Sequence, residues 1–207
     1  NAAYTIIKGY INRDELTRIL SSYSYRVLKK DCLDLPEKMP DDTVELVLKE
    51  RVMYNEAVQM YIDSLDMAFD NQLVAMMKQR QIATGFVKDD MGNTHTLKSD
   101  KPQVLEELIE SILPHKTVVF CEFTHSIEQV EKVCNKLKIK YVVLNGAQKD
   151  KQIWRKFQED DDIKVFIGQT RSANSGIDLY TSTHTVYYEP PISTTILEQS
   201  RDRTHRI

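Results

Sequence analysis

A glutamine and two arginines near the end of the chain have a spacing that could bind phosphate. Gln199, Arg203 and Arg206 follow one another at steps of four and three residues. In a helix this spacing places the three side chains on one face. A guanidinium keeps its charge and can spread its donors over several phosphate oxygens. The triplet therefore fits the terminal phosphates of a nucleotide, but a solvated basic helix end explains it about equally well.

A polar loop before this triplet adds a second group of candidate ligands. It covers residues 168–179, where small and polar residues follow an apolar stretch. Thr170 and Arg171 can donate to phosphates. Gly176 allows close approach of the backbone, and the Asp178 carboxylate can accept from ribose hydroxyls. The loop and the triplet together are more specific for a nucleotide than either is alone.

Two further loops offer contacts to phosphate. Residues 122–126 open a predicted helix, where Thr124 or Ser126 is a candidate N-cap and free backbone N–H groups could bind a phosphate. The turn 145–147 contains Gly146, which would let a sugar-phosphate backbone come close. Taken singly, these residues are also explained by capping and by a plain turn.

The elements that must position these residues follow a regular pattern after residue 100. Short apolar stretches alternate with helical patterns of about 12 residues, and a helix over 102–113 precedes them. The predicted strands cover 117–121, 141–144, 164–167 and 185–188. Such alternation predicts an α/β fold with a parallel sheet covered on both faces. Ligands of these sheets bind beyond the carboxyl ends of the strands, where the loops described above begin.

The first half of the chain has a mainly helical pattern. Residues 51–69 carry apolar side chains at helical spacing, which predicts an amphipathic helix with a buried stripe. Residues 44–48 alternate well enough to predict a strand, and the polar stretch 88–94 predicts a loop or a hairpin tip. We divide the chain into an entry segment 1–40, a strand with a helical protrusion over 41–100, and an α/β core over 101–207.

Composition excludes several classes of protein. Of the 207 residues, 41% are hydrophobic and 29% are charged, as in an ordinary globular protein. The sequence has no apolar run of about 18 residues that would predict a membrane span. The three cysteines form no C-x-x-C pair and are expected to be reduced, while the five histidines lack ligand spacing, so we expect no metal site. Because the net charge is −3, any contact with nucleic acid must come from a local patch.

In order and spacing, these segments resemble the second RecA-like lobe of superfamily-two helicases, most closely the Swi/Snf-type DNA-dependent ATPases. The segments that resemble helicase motifs IV, V and VI are residues 117–124, 170–178 and 199–207. Residues 25–38 resemble the entry to this lobe, and residues 79–86 resemble the helical protrusion of compact bacterial or phage members. The resemblance covers nearly the whole chain. It implies a three-layer αβα core with a mainly parallel sheet and an N-terminal helical appendage.

The resemblance also implies roles for the candidate residues on the ATP side. In the family, ATP lies between two lobes, and the first lobe supplies the phosphate loop and the carboxylates for Mg²⁺. Arg203 and Arg206 would contact the γ-phosphate, with Arg206 the preferred arginine finger, and Gln199 would help to sense that phosphate. Asp178 with Gly176 would contact the ribose or couple the loop to the cleft.

The implied partners are DNA, duplex in preference to single-stranded, and the first lobe of the same polypeptide. Thr124, Gly146, Thr170 and Arg171 would contact the phosphates of one DNA strand. No membrane is implied. The expected location is the cytoplasm of a bacterial or phage-infected cell, or the nucleus in a eukaryote.

Some residues depart from the family pattern. No G-x-x-x-x-G-K-[ST] phosphate loop occurs in the sequence, and the pair Asp14-Glu15 does not follow an apolar strand as a magnesium-binding box would. Arg201 stands where the family commonly has an acidic or neutral residue, so no role is assigned to it. Ala173-Asn174 replaces two glycines that are frequent in the Swi/Snf type. Because the phosphate loop is absent from this sequence, we expect this chain to be inactive by itself.

Three alternatives stay open at this point. The first is a RecA-like domain that binds nucleic acid or protein without catalysis. The second is an RNA helicase of the DEAD-box type. That group usually has histidine where this chain has Gln199, and the helical first half of the chain also argues against it. The third is the motor part of a restriction enzyme, which shares these motifs.

Overall fold

The computed structural model describes residues 9, 11–25, 37, 39–63, 69–89, 91–150, 152–173 and 176–205. The chain forms two compact units, residues 1–37 and 38–207. In the first unit, helix α1 covers Arg13–Ser21, and none of its residues is buried. No helix among the described residues has both the length and the apolar character to cross a membrane.

The second unit begins with two helices and a hairpin. Helix α2 (Arg51–Asp63) packs against helix α3 (Phe69–Thr84), and the amide of Gln79 donates to the carbonyl of Ala57 at 3.2 Å. Strands β1 (Phe86–Lys88) and β2 (Thr94–Thr96) then pair in antiparallel register. The polar stretch 88–94 therefore lies at a hairpin tip.

One expectation for this half is wrong, and a second is confirmed only in part: residues 51–63 are helical as predicted, but their stripe is not buried throughout. Residues 44–48 form no strand; they are irregular and mostly exposed, and Val47 is 77% accessible. An alternating segment forms a strand only where a neighbouring strand pairs with its backbone. The strand pairs in the described part of the chain do not include residues 44–48. The predicted stripe of α2 is buried at Ala57 but exposed at Met53 and Met60. Its other three members (Tyr61, Leu65 and Ala68) lie outside what the structure describes at side-chain level.

The core is a sheet of four parallel strands in the order β4-β5-β3-β6. Its strands are β3 (Thr117–Cys121), β4 (Lys140–Leu144), β5 (Ile163–Gln169) and β6 (His184–Tyr187). The helices around it are α4 (Lys101–Ile112), α5 (Thr124–Lys136), α6 (Ile153–Glu159), α7 (Thr170–Ala173) and α8 (Thr194–Thr204). The predicted strands and the 102–113 helix are confirmed within two residues at each end.

Each face of the sheet carries its own apolar cluster. Because side chains alternate along a strand, Val119 and Cys121 of β3 point to the face covered by α4 and α5. Val118 and Phe120 point to the other face, where they join Phe157 of α6. The three-layer αβα architecture is confirmed, and all four loops that follow its strands start at one edge.

A glycine fixes the junction between α3 and β1. Gly85 has φ +99, and a Cβ there would lie 2.5 Å from Cβ of Ser99. We expect Gly85→Ala to lower the free energy of unfolding by about 2–4 kcal/mol, because backbone strain and overpacking act together. Gly92→Ala is the matched control: its φ is +86, but no atom lies within 4 Å of its Cβ position. Urea unfolding of both variants checks this; equal losses would show that packing against Ser99 contributes nothing.

Candidate functional site

Helix α8 carries the basic triplet at least as far as Arg203. Ser193 precedes it as the N-cap, and its hydroxyl accepts from the backbone N–H of Ile196 at 3.4 Å. Gln199 is exposed and Arg203 is half-buried, one turn apart on this helix. The helical prediction is thus confirmed for these two residues. Arg206, the preferred arginine finger, lies outside the described residues, and its role stays a prediction.

The polar loop and the triplet helix are joined through their backbones. The N–H of Leu179 donates to the carbonyl of Arg203 at 2.8 Å. The amide of Gln158, from α6, donates to the carbonyl of Asp178. Gly176 is exposed with φ +71, and its conformation rather than crowding favours glycine, because nothing lies within 4 Å of its Cβ position. The half-buried Asp178 is therefore held next to the last turn of α8.

Arg201, which the sequence left without a role, forms ion pairs on the surface of α8. Its guanidinium lies 3.0 Å from the Glu198 carboxylate and also contacts the Asp41 carboxylate. These two acids satisfy the charge of Arg201. Its place in the helix thus points to attachment of the 39–48 segment rather than to phosphate binding.

The two candidate donors at the start of the polar loop have different environments. Thr170 is fully buried, and its hydroxyl donates to the carbonyl of Cys121 at 3.1 Å. Its position ties the loop to the end of β3 and gives no support to a direct phosphate contact. Arg171, the next residue, is exposed at the same edge of the sheet.

The loop after β3 differs from the capping prediction. Phe123 is the N-cap of α5, in extended conformation and without a side-chain cap, and Thr124 is the first residue of the helix. Thr124 is therefore inside the helix and is not its N-cap. Ser126 does not cap the helix either, because it is buried and its hydroxyl donates to the Glu189 carboxylate at 2.6 Å. Thr124 remains exposed and is able to contact a ligand.

Gly146 lies in the predicted tight turn. The Asn145 side chain accepts from the backbone N–H groups of Ala147 and Gln148 at 3.0 and 2.9 Å, which closes the turn. Helix α6 begins only at Ile153. Gly146 is exposed, as a contact with a sugar-phosphate backbone requires.

Sequence reasoning missed a glutamine that connects three of the loops. Gln169, at the end of β5, accepts from the N–H of Gly146 at 3.2 Å and from the hydroxyl of Ser172 at 3.5 Å. Its amide donates to the carbonyl of Glu122 at 3.5 Å. The signal in the sequence was a polar side chain at the end of an otherwise apolar strand.

A second missed residue is Glu189, which follows β6 and is 3% exposed. Its carboxylate accepts from the hydroxyl of Ser126 and, at 3.0 Å, from the N–H of Glu122. Burial raises the pKa of Glu189, and these hydrogen bonds oppose the rise. The signal in the sequence was an acidic residue between an apolar strand and two prolines.

The thiols of this core are structural. Cys121 and Cys134 are free and buried, and burial raises the pKa of both, that of Cys134 to about 12. Cys32 lies outside the described residues. Within the described ranges, no group of His, Cys, Asp and Glu side chains could hold a metal ion.

Known proteins share the segment that carries this site. Residues 100–207 match the family model described as "Helicase conserved C-terminal domain". Helicase swr1 of Schizosaccharomyces pombe is 32% identical over 112 residues, which is 52% of this chain and 9% of that protein. ATP-dependent helicase FUN30 of Saccharomyces cerevisiae is 29% identical over 126 residues, 58% of this chain and 11% of that protein. The chain thus spans about a tenth of the length of these two relatives.

A solved structure shows the same fold. The Sulfolobus solfataricus SWI2/SNF2 ATPase core domain superposes with a TM-score of 0.65 at 20% sequence identity, over 97% of this chain and 45% of that one. The two relatives named above are eukaryotic and give no support to a bacterial or phage source. Because the matched family model covers just over half of the residues, this chain belongs to the helicase conserved C-terminal domain family, with the RecA-like fold of the Swi/Snf-type ATPases.

Proposed function

We propose that this chain is the second motor lobe of a DNA-dependent ATPase that couples ATP hydrolysis to movement along DNA. The observation that carries the proposal is the backbone hydrogen bond from Leu179 to Arg203, which holds the polar loop beside the arginine helix. This pairing lies inside the segment that matches the family model. It places the backbone next to Asp178 beside the backbone of Arg203, so the two predicted nucleotide-binding segments are neighbours.

The donor set on the ATP side fits one wall of a split nucleotide site. ATP, when bound, supplies the phosphoanhydride bond whose hydrolysis drives the motor. Arg203 and Arg206 carry guanidiniums of the kind that offsets charge developing on a γ-phosphate, and we assign the Gln199 amide to sensing that phosphate. Asp178 can accept from ribose hydroxyls next to Gly176. The sequence has no phosphate loop, so this set fits only part of the ligand, and we assign Mg²⁺ binding to the first lobe of the same polypeptide.

The DNA side of the proposal uses three exposed residues at the loop edge. Thr124, Gly146 and Arg171 all face solvent and follow three neighbouring strands of the sheet. A hydroxyl, a backbone N–H and a guanidinium suit phosphate oxygens and read no base sequence. Thr170 would act by fixing the loop that bears Arg171. Duplex DNA is the proposed substrate, and the eukaryotic relatives favour a nuclear location.

The proposal predicts that ATP hydrolysis requires the full-length protein and is absent from this chain alone. We expect this chain alone to hydrolyse no ATP, because the groups for the β-phosphate and Mg²⁺ must come from another lobe. The full-length protein should hydrolyse ATP, with stimulation by duplex DNA. A phosphate-release assay at high protein concentration checks both, with duplex RNA as a parallel arm. Hydrolysis by the isolated chain would contradict the split site, and no stimulation of the full-length protein by DNA would contradict the function.

A further inference from the structure

The buried Glu189 joins two loops that the proposed function assigns to different ligands. Its two carboxylate oxygens accept from the Ser126 hydroxyl at 2.6 Å and from the Glu122 N–H at 3.0 Å. Both donors belong to the segment 122–126 that also carries the exposed Thr124. Hydrogen bonds to a charged acceptor are among the stronger ones in proteins. The end of β6 is therefore fastened to the beginning of α5.

Two cations hold the chain on either side of this carboxylate. The Lys101 ammonium, from the first turn of α4, donates to the carbonyl of Tyr188 at 2.9 Å. The Arg80 guanidinium, from α3, donates to the carbonyl of Pro190 at 2.6 Å and lies 3.8 Å from the Glu122 carboxylate. The backbone on both sides of Glu189 thus has cationic partners from the protrusion and the core.

The charges of this cluster depend on one another. Burial lowers the pKa of Lys101, while the nearby Glu189 opposes that fall. Burial raises the pKa of Glu189, and Lys101 opposes that rise in turn. Removing either charge leaves the other buried with less compensation, which is costly in a protein interior.

The chain that follows Glu189 leads directly to the arginine helix. Pro190 and Pro191 come next, and proline restricts the backbone to few conformations. Ser193, the N-cap of α8, stands four residues after Glu189. A displacement of the 122–126 segment would therefore move Glu189, which is hydrogen-bonded to it. The short connection 190–192, restricted by its two prolines, would pass this movement to the start of α8.

We propose that Glu189 is a positioning residue that couples DNA contact at residues 122–126 to the orientation of helix α8 and its arginines. This inference rests on the proposed function, since it assigns Thr124 to DNA and Arg203 to ATP. Glu189 contacts neither ligand and acts through Ser126 and the Glu122 backbone. Its function is to transmit the state of the DNA-contacting loop to the ATP side.

The test compares basal and DNA-stimulated ATPase of the full-length protein. Glu189→Gln keeps the shape but removes the charge, and it should lower the stimulation by duplex DNA about tenfold, the size expected from one lost charge-assisted hydrogen bond. Basal ATPase and DNA affinity, each expressed per folded molecule, should stay within about twofold of the parent, because Glu189 contacts neither ligand. The lost charge compensation should appear instead as a lower unfolding temperature. Ser126→Ala, a milder change in the same contact, should lower the stimulation several-fold. The double variant should be no worse than Glu189→Gln, because Ser126→Ala removes one of the two contacts that Glu189→Gln already weakens.

Glu110→Gln is the control for loss of a carboxylate, since Glu110 is exposed on α4; it should leave the stimulation unchanged. Full DNA stimulation in both Glu189→Gln and Ser126→Ala would overturn the inference and leave the proposed function intact. A proportional fall of basal and stimulated rates, matching a loss of folded protein in thermal unfolding, would also overturn it and indicate a structural role only. Absence of DNA stimulation in the parent protein would instead remove the proposed function on which the inference rests.

Discussion

Arg206→Ala in the full-length protein is expected to lower DNA-stimulated ATP hydrolysis by about 10³–10⁵-fold, the range typical of an arginine finger. The guanidinium would offset negative charge that forms on the γ-phosphate only as the transition state is approached. Binding of DNA should stay nearly intact, because the DNA-contacting candidates lie on other loops. Steady-state ATPase rates and a DNA-binding titration on the same preparation measure the two effects.

The neighbouring arginine supplies the control for this experiment. Arg201 already pairs with Glu198 and Asp41, so Arg201→Ala should change ATPase far less than Arg206→Ala. Substantial ATPase activity in Arg206→Ala would remove this residue from the site. Arg203, which is half-buried in α8, would then be the remaining candidate for the arginine finger.

The largest effect on stability is expected from Phe166→Ala. Phe166 is fully buried in β5, between β3 and β4, with its ring centroid 5.6 Å from that of Phe157. Removing the ring loses its burial and leaves a cavity, which typically costs about 3–5 kcal/mol. Domains of this size are stable by only about 5–15 kcal/mol, so the midpoint of chemical unfolding should fall markedly.

An exposed residue provides the comparison for Phe166. Val74, on α3, is 47% accessible, and Val74→Ala should change the free energy of unfolding by no more than about 0.5 kcal/mol. Guanidinium unfolding followed by circular dichroism measures both variants. A loss below about 1 kcal/mol for Phe166→Ala would mean that the core around β5 repacks to fill the space.

The α/β core could be predicted from the sequence because its signals are local and repeated. A buried parallel strand needs a continuous apolar run, and residues 117–121 provide one that is buried at every position. The segment 44–48 shows the limit of the same reasoning. Its alternation is real, but strand formation depends on a partner edge elsewhere in the fold, and periodicity carries no information about that edge.

The candidate site was predictable in its outline and less so in its contacts. The spacing of Gln199 and Arg203 correctly indicated a helix, since helical geometry is a property of neighbouring residues. The hydrogen-bond partners of Ser126 and Thr170 could not be predicted from local spacing. Ser126 binds Glu189, 63 residues away, and Thr170 binds the Cys121 carbonyl, 49 residues away. Such pairs depend on the order of strands in the sheet, which one sequence does not specify.

The side chain of Gln169 has a consequence for the kind of ligand that the loop edge can accept. It contacts the loops after β3, β4 and β5, so these loops are linked to one another before any ligand binds. Under the proposed function, loops that are linked in this way favour a ligand whose contact points repeat at a regular interval. The phosphates of a nucleic-acid strand have such a repeat whatever the base sequence. If the edge binds DNA as proposed, we therefore expect it to recognise the spacing of backbone phosphates and to bind a kinked strand less well.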